Sequence, residues 1–279
     1  MHPVYQKIKQ ELKEYYSDSE ATALARMLLM EKFCFSKLEL FGGKDKQVFK
    51  KDLDVLDEML SRLKIYEPIQ YILGKEIFCG LEFEVDKNVL IPRPETQELV
   101  EWVISDSINK TTRILDIGTG SGCIAISLVK NLPQAKVDAW DISPGALHVA
   151  EKNAGIHEVC IEFRLIDVLK EVSVNQVYDT IVSNPPYITE QEKSDMDSNV
   201  LDWEPSGALF VPNEDPLIFY RRIAQIGKQI LKKNGALYFE INRSYGKETL
   251  ELLLELGYQK VQLREDCFGN QRMIKAIRP

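Results

Sequence analysis

Four consecutive residues, Asn184-Pro185-Pro186-Tyr187, combine chemical groups in an order that a plain turn does not need. They follow the stretch "VYDTIVS", whose β-branched residues predict a strand. Neither proline can donate to a sheet ladder, so the strand must stop there. A primary amide and a phenol are left on a stiff backbone. A planar NH₂ group has two N–H donors in its plane and a lone pair delocalised into the attached π-system. The Asn184 side-chain oxygen and the Pro185 carbonyl can accept those two hydrogens. Held so, the nitrogen favours the pyramidal form whose lone pair attacks an electrophile in line. Tyr187 can stack over the planar group and keep water away. Orientation of this kind supplies on the order of 7–11 kcal/mol and asks for no general base. Base supply agrees, since His2, His148 and His157 are the only histidines. A Ser-His-Asp triad or a histidine metal site finds little material here.

The electrophile is suggested by "LDIGTGSGCIAIS". Asp116, Gly118, Thr119, Gly120, Ser121 and Gly122 form an acidic, glycine-rich turn between a strand and a helix. Dinucleotide sites use G-x-G-x-x-G at this place, but Cys123 stands where the third glycine of that spacing belongs. Asp116 would repel a pyrophosphate, whereas a ligand with an amino group or a sulfonium tolerates it. Charge complementarity therefore favours S-adenosylmethionine over a nicotinamide dinucleotide. Asp141 ends the next strand, "AKVDAWDIS", where a carboxylate can accept both ribose hydroxyls. The plainer alternative is that Asp141 or Ser143 caps the following helix. After the third strand, Asp167 can accept from an adenine amine while Val168 covers the ring.

Alternating strands and helices must position these groups. Strands are predicted at "TRILDIG", "AKVDAWD", "IEFRLI", "VYDTIVS", "GALYFEI", "YQKVQLR" and "MIKAI". Helices are predicted at about 121–132, 144–155, 215–232 and 244–256. This alternation predicts an α/β fold, a Rossmann-like parallel sheet covered on both faces. Ligands then bind beyond the carboxyl ends of the strands where strand order reverses, with Asn184 on the fourth strand beside the first. The first half reads differently. Ala21, Leu24 and Leu28, then Leu53, Leu56, Leu60 and Leu63, recur at helical spacing, with "LFGGKDKQ" breaking the helices at a glycine pair. We expect a small helical bundle over residues 1–65, a β-hairpin linker over 66–92 and a catalytic domain over 93–279. A helix opens at Pro94, with Glu95 and Glu98 complementing its dipole.

The bulk composition sets limits. The chain has 279 residues, 44% hydrophobic and 28% charged, with a formal net charge of −8. No apolar run approaches the roughly 18 residues of a membrane span, and the first residues are too charged for a secretory signal. Five scattered cysteines, none in a C-x-x-C pair, fit a reduced cytoplasmic protein rather than a disulfide or zinc framework.

Taken together, "EPIQYILGKEIFCGLEF", "VLIPRPETQELVE", "ILDIGTGSGCIAIS", "SNPPYI", "EPSGALFV" and "DCFGNQRMIKA" resemble the bacterial glutamine methyltransferases of the PrmC/HemK type. The resemblance covers nearly the whole chain. It implies a class I S-adenosylmethionine-dependent methyltransferase that methylates the glutamine amide of the Gly-Gly-Gln motif in class 1 peptide release factors. It also implies that Gly118 to Gly122, Asp141, Val168 and Asn184 contact the cofactor, and that Asn184 to Tyr187 hold the glutamine. The helical half would dock the factor. Two departures stand out. Asn242 and Tyr245 replace common residues in "EINRSYGKE", and Val168 stands where an aromatic is frequent. Two other acceptors share the chemistry: a ribosomal-protein glutamine, or a nucleic-acid amine such as adenine N6 or guanine N2. The acidic charge and the lack of a basic aromatic stripe speak against nucleic acid.

Overall fold

The computed structural model describes residues 2–42, 46–108, 111–172 and 175–279. Its chain divides into two compact units, one of residues 1–75 with 197–203, the other of residues 76–196 with 204–279.

The first unit is helical. Its elements are α1 (Pro3–Leu12), α2 (Asp18–Met27), α3 (Lys37–Phe41), α4 (Lys50–Leu63) and α5 (Ile69–Leu73). Ser17 with Glu20 and Ser36 with Glu39 form capping boxes that satisfy the first amides of α2 and α3. After α2 the backbone widens into a π-helical turn, Leu28–Lys32. Ile8, Leu12, Ala21, Leu28, Leu56, Leu60 and Leu63 are buried together in its core, as the helical spacing predicts. Gly42 ends α3; its neighbour Gly43, the second of the expected glycine pair, lies outside the described residues.

Residues 66–92 were expected to form a hairpin throughout, but α5 occupies their start. The hairpin is narrower, β1 (Lys75–Phe78) and β2 (Leu81–Glu84). Cys79 and Gly80 both have positive φ, 49° and 74°, the pattern of a two-residue type I′ turn.

The second unit continues with α6 (Pro94–Ser107), β3 (Arg113–Ile117), α7 (Cys123–Asn131), β4 (Lys136–Asp141), α8 (Pro144–Ile156), β5 (Glu162–Leu165) and β6 (Tyr178–Ser183). An excursion follows: β7 (Ile188–Thr189), α9 (Ser198–Leu201), α10 (Ser206–Leu209) and β8 (Phe210–Val211). Of these, α9 lies in the first unit, where the neighbouring Trp203 Nε1 donates to the Ile65 carbonyl at 3.2 Å. The chain closes with α11 (Ile218–Ile230), β9 (Leu231–Glu240), α12 (Gly246–Glu255), β10 (Gln259–Glu265) and β11 (Gln271–Ile277).

Among the described residues the main sheet has seven strands in the order β10-β11-β9-β6-β3-β4-β5. From β9 to β5 neighbouring strands are parallel, and order reverses between β3 and β6. The sheet is mixed rather than wholly parallel as expected. β11 runs antiparallel to both β9 and β10, because the short turn joining β10 to β11 cannot make a parallel crossover. Side chains alternate as a two-residue period requires. Leu115 and Ile117 pack with α11 and α12, while Ile114 faces α6 and α7.

Candidate active site

The carboxyl ends of β3, β4 and β6 bring the predicted residues together. β3 pairs with β6 through Ile117 and Ser183, and the Ser183 hydroxyl donates to the Ile117 carbonyl at 2.6 Å. The glycine turn and Asn184 therefore start from neighbouring points on the sheet. A Cβ placed on Gly118 would stand 3.9 Å from the Asn184 carbonyl oxygen. At Gly120, φ is 55° and a Cβ would meet nothing within 4 Å, so this turn opens onto free space.

Four of the turn's amides are already engaged. Gly118 N and Thr119 N donate to the Trp140 carbonyl at 2.8 and 3.0 Å, and Gly122 N donates to the Thr119 carbonyl at 2.8 Å. Gly120 N donates to Asp141 Oδ2 at 2.9 Å. An anion would need such amides free, so this turn is unlike a phosphate cradle. What it offers instead is acceptors. Asp116 is fully buried, its Oδ2 takes the Thr119 hydroxyl at 2.7 Å, and its Oδ1 has no partner among the described residues. Burial pushes its carboxyl up to about 7, with the nearby Asp141 charge adding to the effect. A buried, orphaned acceptor beside an open turn fits a cationic ligand, which is the character of S-adenosylmethionine.

Asp141 does not cap α8. Ser143 does, accepting from Ala146 N at 3.2 Å, while Asp141 Oδ1 takes Ser143 N at 2.9 Å. The two Asp141 oxygens thus accept backbone amides, with lone-pair capacity left over for a hydroxyl. Burial raises this carboxyl above the ordinary range, and the amides of Ser143, Gly120 and Ile142 oppose that shift. Ser121 is buried, and its carbonyl accepts from Asn153 Nδ2 at 2.9 Å. Asn153, a buried polar residue of α8 that the sequence did not single out, also bonds Glu84 N and O and so ties the turn to β2.

Asp167 accepts from Leu169 N at 3.0 Å and pairs with Lys170 at 3.3 Å. Val168 is only 9% exposed and packs into the core under α11, which leaves it little face for a ring. Ile142, next to Asp141, is by contrast 61% exposed at the strand end. An apolar residue directly after a strand-end aspartate was the signal available for it.

Asn184 Nδ2 donates to Thr96 Oγ1 at 3.1 Å, and Thr96 Oγ1 donates to Glu240 Oε2 at 2.6 Å. Tyr187 OH donates to Glu240 Oε1 at 3.1 Å. Pro185 and Pro186 hold these two ends on one rigid turn, and Pro185 is buried. Burial pushes the Tyr187 hydroxyl well above the ordinary tyrosine range, and the Glu240 carboxylate adds to it. Glu240, 1% exposed at the end of β9, is likewise raised by burial, against the pull of Thr96, Tyr187 and Arg272. Thr96 and Glu240 were absent from the sequence-derived site, although Thr96 lies within "IPRPET".

Asn242 and the excursion brace this loop from behind. Asn242 Nδ2 donates to the Tyr187 carbonyl at 2.9 Å and to Glu192 Oε2 at 3.0 Å. Tyr187 N donates to the Leu209 carbonyl at 3.2 Å, and Ile188 and Thr189 pair with Phe210 and Val211. Farther along, the buried Glu204 takes Arg93 Nη2 at 2.5 Å, which joins "EPSGAL" to "IPRPET".

Residues 95–201 match the family described as methyltransferase small domain, and residues 4–74 match the PrmC N-terminal domain. A release factor glutamine methyltransferase of Bacteroides thetaiotaomicron is 47% identical over 97% of this chain and 98% of that one. One from Flavobacterium psychrophilum is 46% identical over 95% of each. The solved structure of a human methyltransferase 10 domain containing protein aligns with a TM-score of 0.53 at 22% identity, over 71% of this chain and 90% of that one, a likeness of fold. Identity of 46–47% over nearly the full length of both chains places this chain in the release factor glutamine methyltransferase family.

Proposed function

We propose that the protein transfers a methyl group from S-adenosylmethionine to the side-chain amide nitrogen of the Gly-Gly-Gln glutamine in class 1 peptide release factors, in the cytoplasm. The observation that carries this is the approach of the glycine turn to Asn184, which sets an acceptor for a planar amide beside the acidic turn. Asp116, Gly118 to Gly122 and Asp141 would hold the cofactor, with Ile142 offering an apolar surface at the same strand end. When bound, S-adenosylmethionine supplies an electrophilic methyl on a sulfonium.

The residues of the chain do the rest. Asn184 Oδ1 and the Pro185 carbonyl accept the two N–H groups of the glutamine amide, and Tyr187 covers its plane. Transfer would break the methyl–sulfur bond as the nitrogen–carbon bond forms, and the nitrogen would release one proton to solvent; neutral carbonyl oxygens are weak bases, so Asn184 and Pro185 act by orientation. The first unit, with Leu38, Phe41 and Phe49 exposed, is the part we assign to docking the factor. Among the described residues no helix is long and apolar enough to cross a membrane. The net charge of −8 speaks against a surface that clings to nucleic acid as a whole.

The test uses labelled S-adenosylmethionine with four acceptors: a class 1 release factor, the same factor with its Gly-Gly-Gln glutamine changed to alanine, a bacterial ribosomal-protein fraction, and DNA. Label on the intact factor alone is expected. Label on ribosomal protein or DNA, with none on the factor, would overturn the acceptor while leaving the pocket chemistry in place.

A further inference from the structure

We propose that Thr96 and Glu240 are positioning residues that decide which way the Asn184 amide faces. This rests on the reading of Asn184 as the acceptor for the substrate amide. A carboxamide has nearly the same shape when its oxygen and nitrogen are exchanged by a half-turn. One orientation presents an oxygen to the substrate NH₂; the other presents donors to donors. Sterics alone cannot choose between them, so a hydrogen-bond partner must.

Thr96 makes the choice. Its hydroxyl has one hydrogen, and that hydrogen goes to Glu240 Oε2 at 2.6 Å, the length of a charge-assisted O–H···O⁻ bond. With its hydrogen spent, Thr96 Oγ1 can only accept. Asn184 must then turn its NH₂ toward Thr96, at 3.1 Å, and leave Oδ1 on the other side. Glu240 Oε1 meanwhile accepts from Tyr187 OH at 3.1 Å. Two hydroxyls donating to its two oxygens is the pattern of a carboxylate, an acceptor-only group. One buried charge therefore sets both the polarity of the amide and the position of the ring.

Arg272 offsets only part of the cost of this charge. A carboxylate that is 1% exposed at the end of a central strand is costly, and an apolar residue at that place would ordinarily serve folding better. Asp116 lies separately in the pocket, bonded to Thr119, and plays no part in this chain of bonds.

The test compares Thr96→Ser, which keeps the hydroxyl, with Thr96→Val, which keeps the shape and removes it. Turnover of release factor, cofactor Kd, acceptor KM and melting temperature are measured for each. The side-chain amide protons of Asn184 are followed in a ¹⁵N-correlated spectrum without substrate. Thr96→Val is expected to lower kcat at least about tenfold, with Kd and KM within about threefold of the parent, and to shift the Asn184 amide pair. Thr96→Ser is expected to keep kcat within about threefold and leave that pair near its parent position. Should Thr96→Val melt the protein, Thr96→Ala carries the same comparison. An unchanged amide pair together with kcat within twofold of the parent would overturn the assignment, as would a kcat loss matched by loss of cofactor affinity. If the parent enzyme ignores release factor, the proposed acceptor fails, and the amide spectrum of Thr96→Val still decides this point.

Discussion

Gly120 N and Asp141 Oδ2 are joined by a 2.9 Å hydrogen bond that ties the glycine turn to the end of the neighbouring strand. The bond does two things. It holds the turn in its positive-φ conformation at Gly120, where the space beside the turn is open, and it fixes a carboxylate with acceptor capacity left over. Hydrogen bonds to charged acceptors contribute about 1.5–3 kcal/mol each. Asp141→Ala is therefore expected to weaken S-adenosylmethionine binding by about ten- to a hundredfold. Calorimetric titration of parent and variant with the cofactor measures this. Unchanged affinity would remove Asp141 from the cofactor site.

Asp116 is expected to make stability and, if it lies against the cofactor as proposed, cofactor binding depend on pH. Burial moves its carboxyl from 3.8 up to about 7, so between those values the folded chain holds a proton that the unfolded chain lacks. Its contribution to stability accordingly falls as pH rises from about 4 to about 7, then levels off. A cationic ligand beside Asp116 favours the ionised form. Cofactor affinity is expected to rise with pH up to about 7, with proton release on binding at lower pH. Titration calorimetry in two buffers of different ionisation enthalpy detects that proton. Asp116→Asn is expected to abolish it and to flatten the stability profile.

Asn184→Ala should separate binding from chemistry. The glycine turn and Asp141 do not depend on its side chain, so cofactor Kd is expected within about threefold of the parent. Turnover is expected to fall about a hundredfold or more, since orientation is the main contribution left to lose. Equal losses in both would assign Asn184 to the cofactor rather than to the amide.

Asn242 is a departure from the family pattern that the structure explains. Its side chain donates to the Tyr187 carbonyl and to Glu192, its Oδ1 accepts from Ser244 N at 2.9 Å, and its own amide donates to Tyr220 OH at 3.2 Å. A glycine there could make none of the side-chain bonds. Asn242→Gly is expected to lower stability by about 1–3 kcal/mol through the groups left unpaired. Amide exchange at Tyr187 and its neighbours is expected to quicken, and kcat to fall a few-fold. Denaturant unfolding and hydrogen-exchange mass spectrometry read the two effects.

The sequence by itself determined the local elements and the groups that end them. Periods of two and of about 3.6 marked the sheet strands from 113 onward and the long helices, because burial on one face writes itself into the spacing of apolar residues. The acidic glycine turn and Asn-Pro-Pro-Tyr were legible because each needs particular backbones, a positive φ at Gly120 and a donor-free pair of prolines. The excursion over 188–211 was not legible: its strands are two residues long, its α-helices four and its 3-10 helix six, too short to show a period. The antiparallel edge, the bond from Gly120 to Asp141, and the partners of Asn184 depended on tertiary structure alone. Thr96 and Glu240 stand 144 residues apart, and only the seating of α6 beside the end of β9 brings a hydroxyl to a carboxylate. A buried polar residue carries no periodic mark of its partner, so the groups that could react were visible in the chain, while those that aim them required the fold.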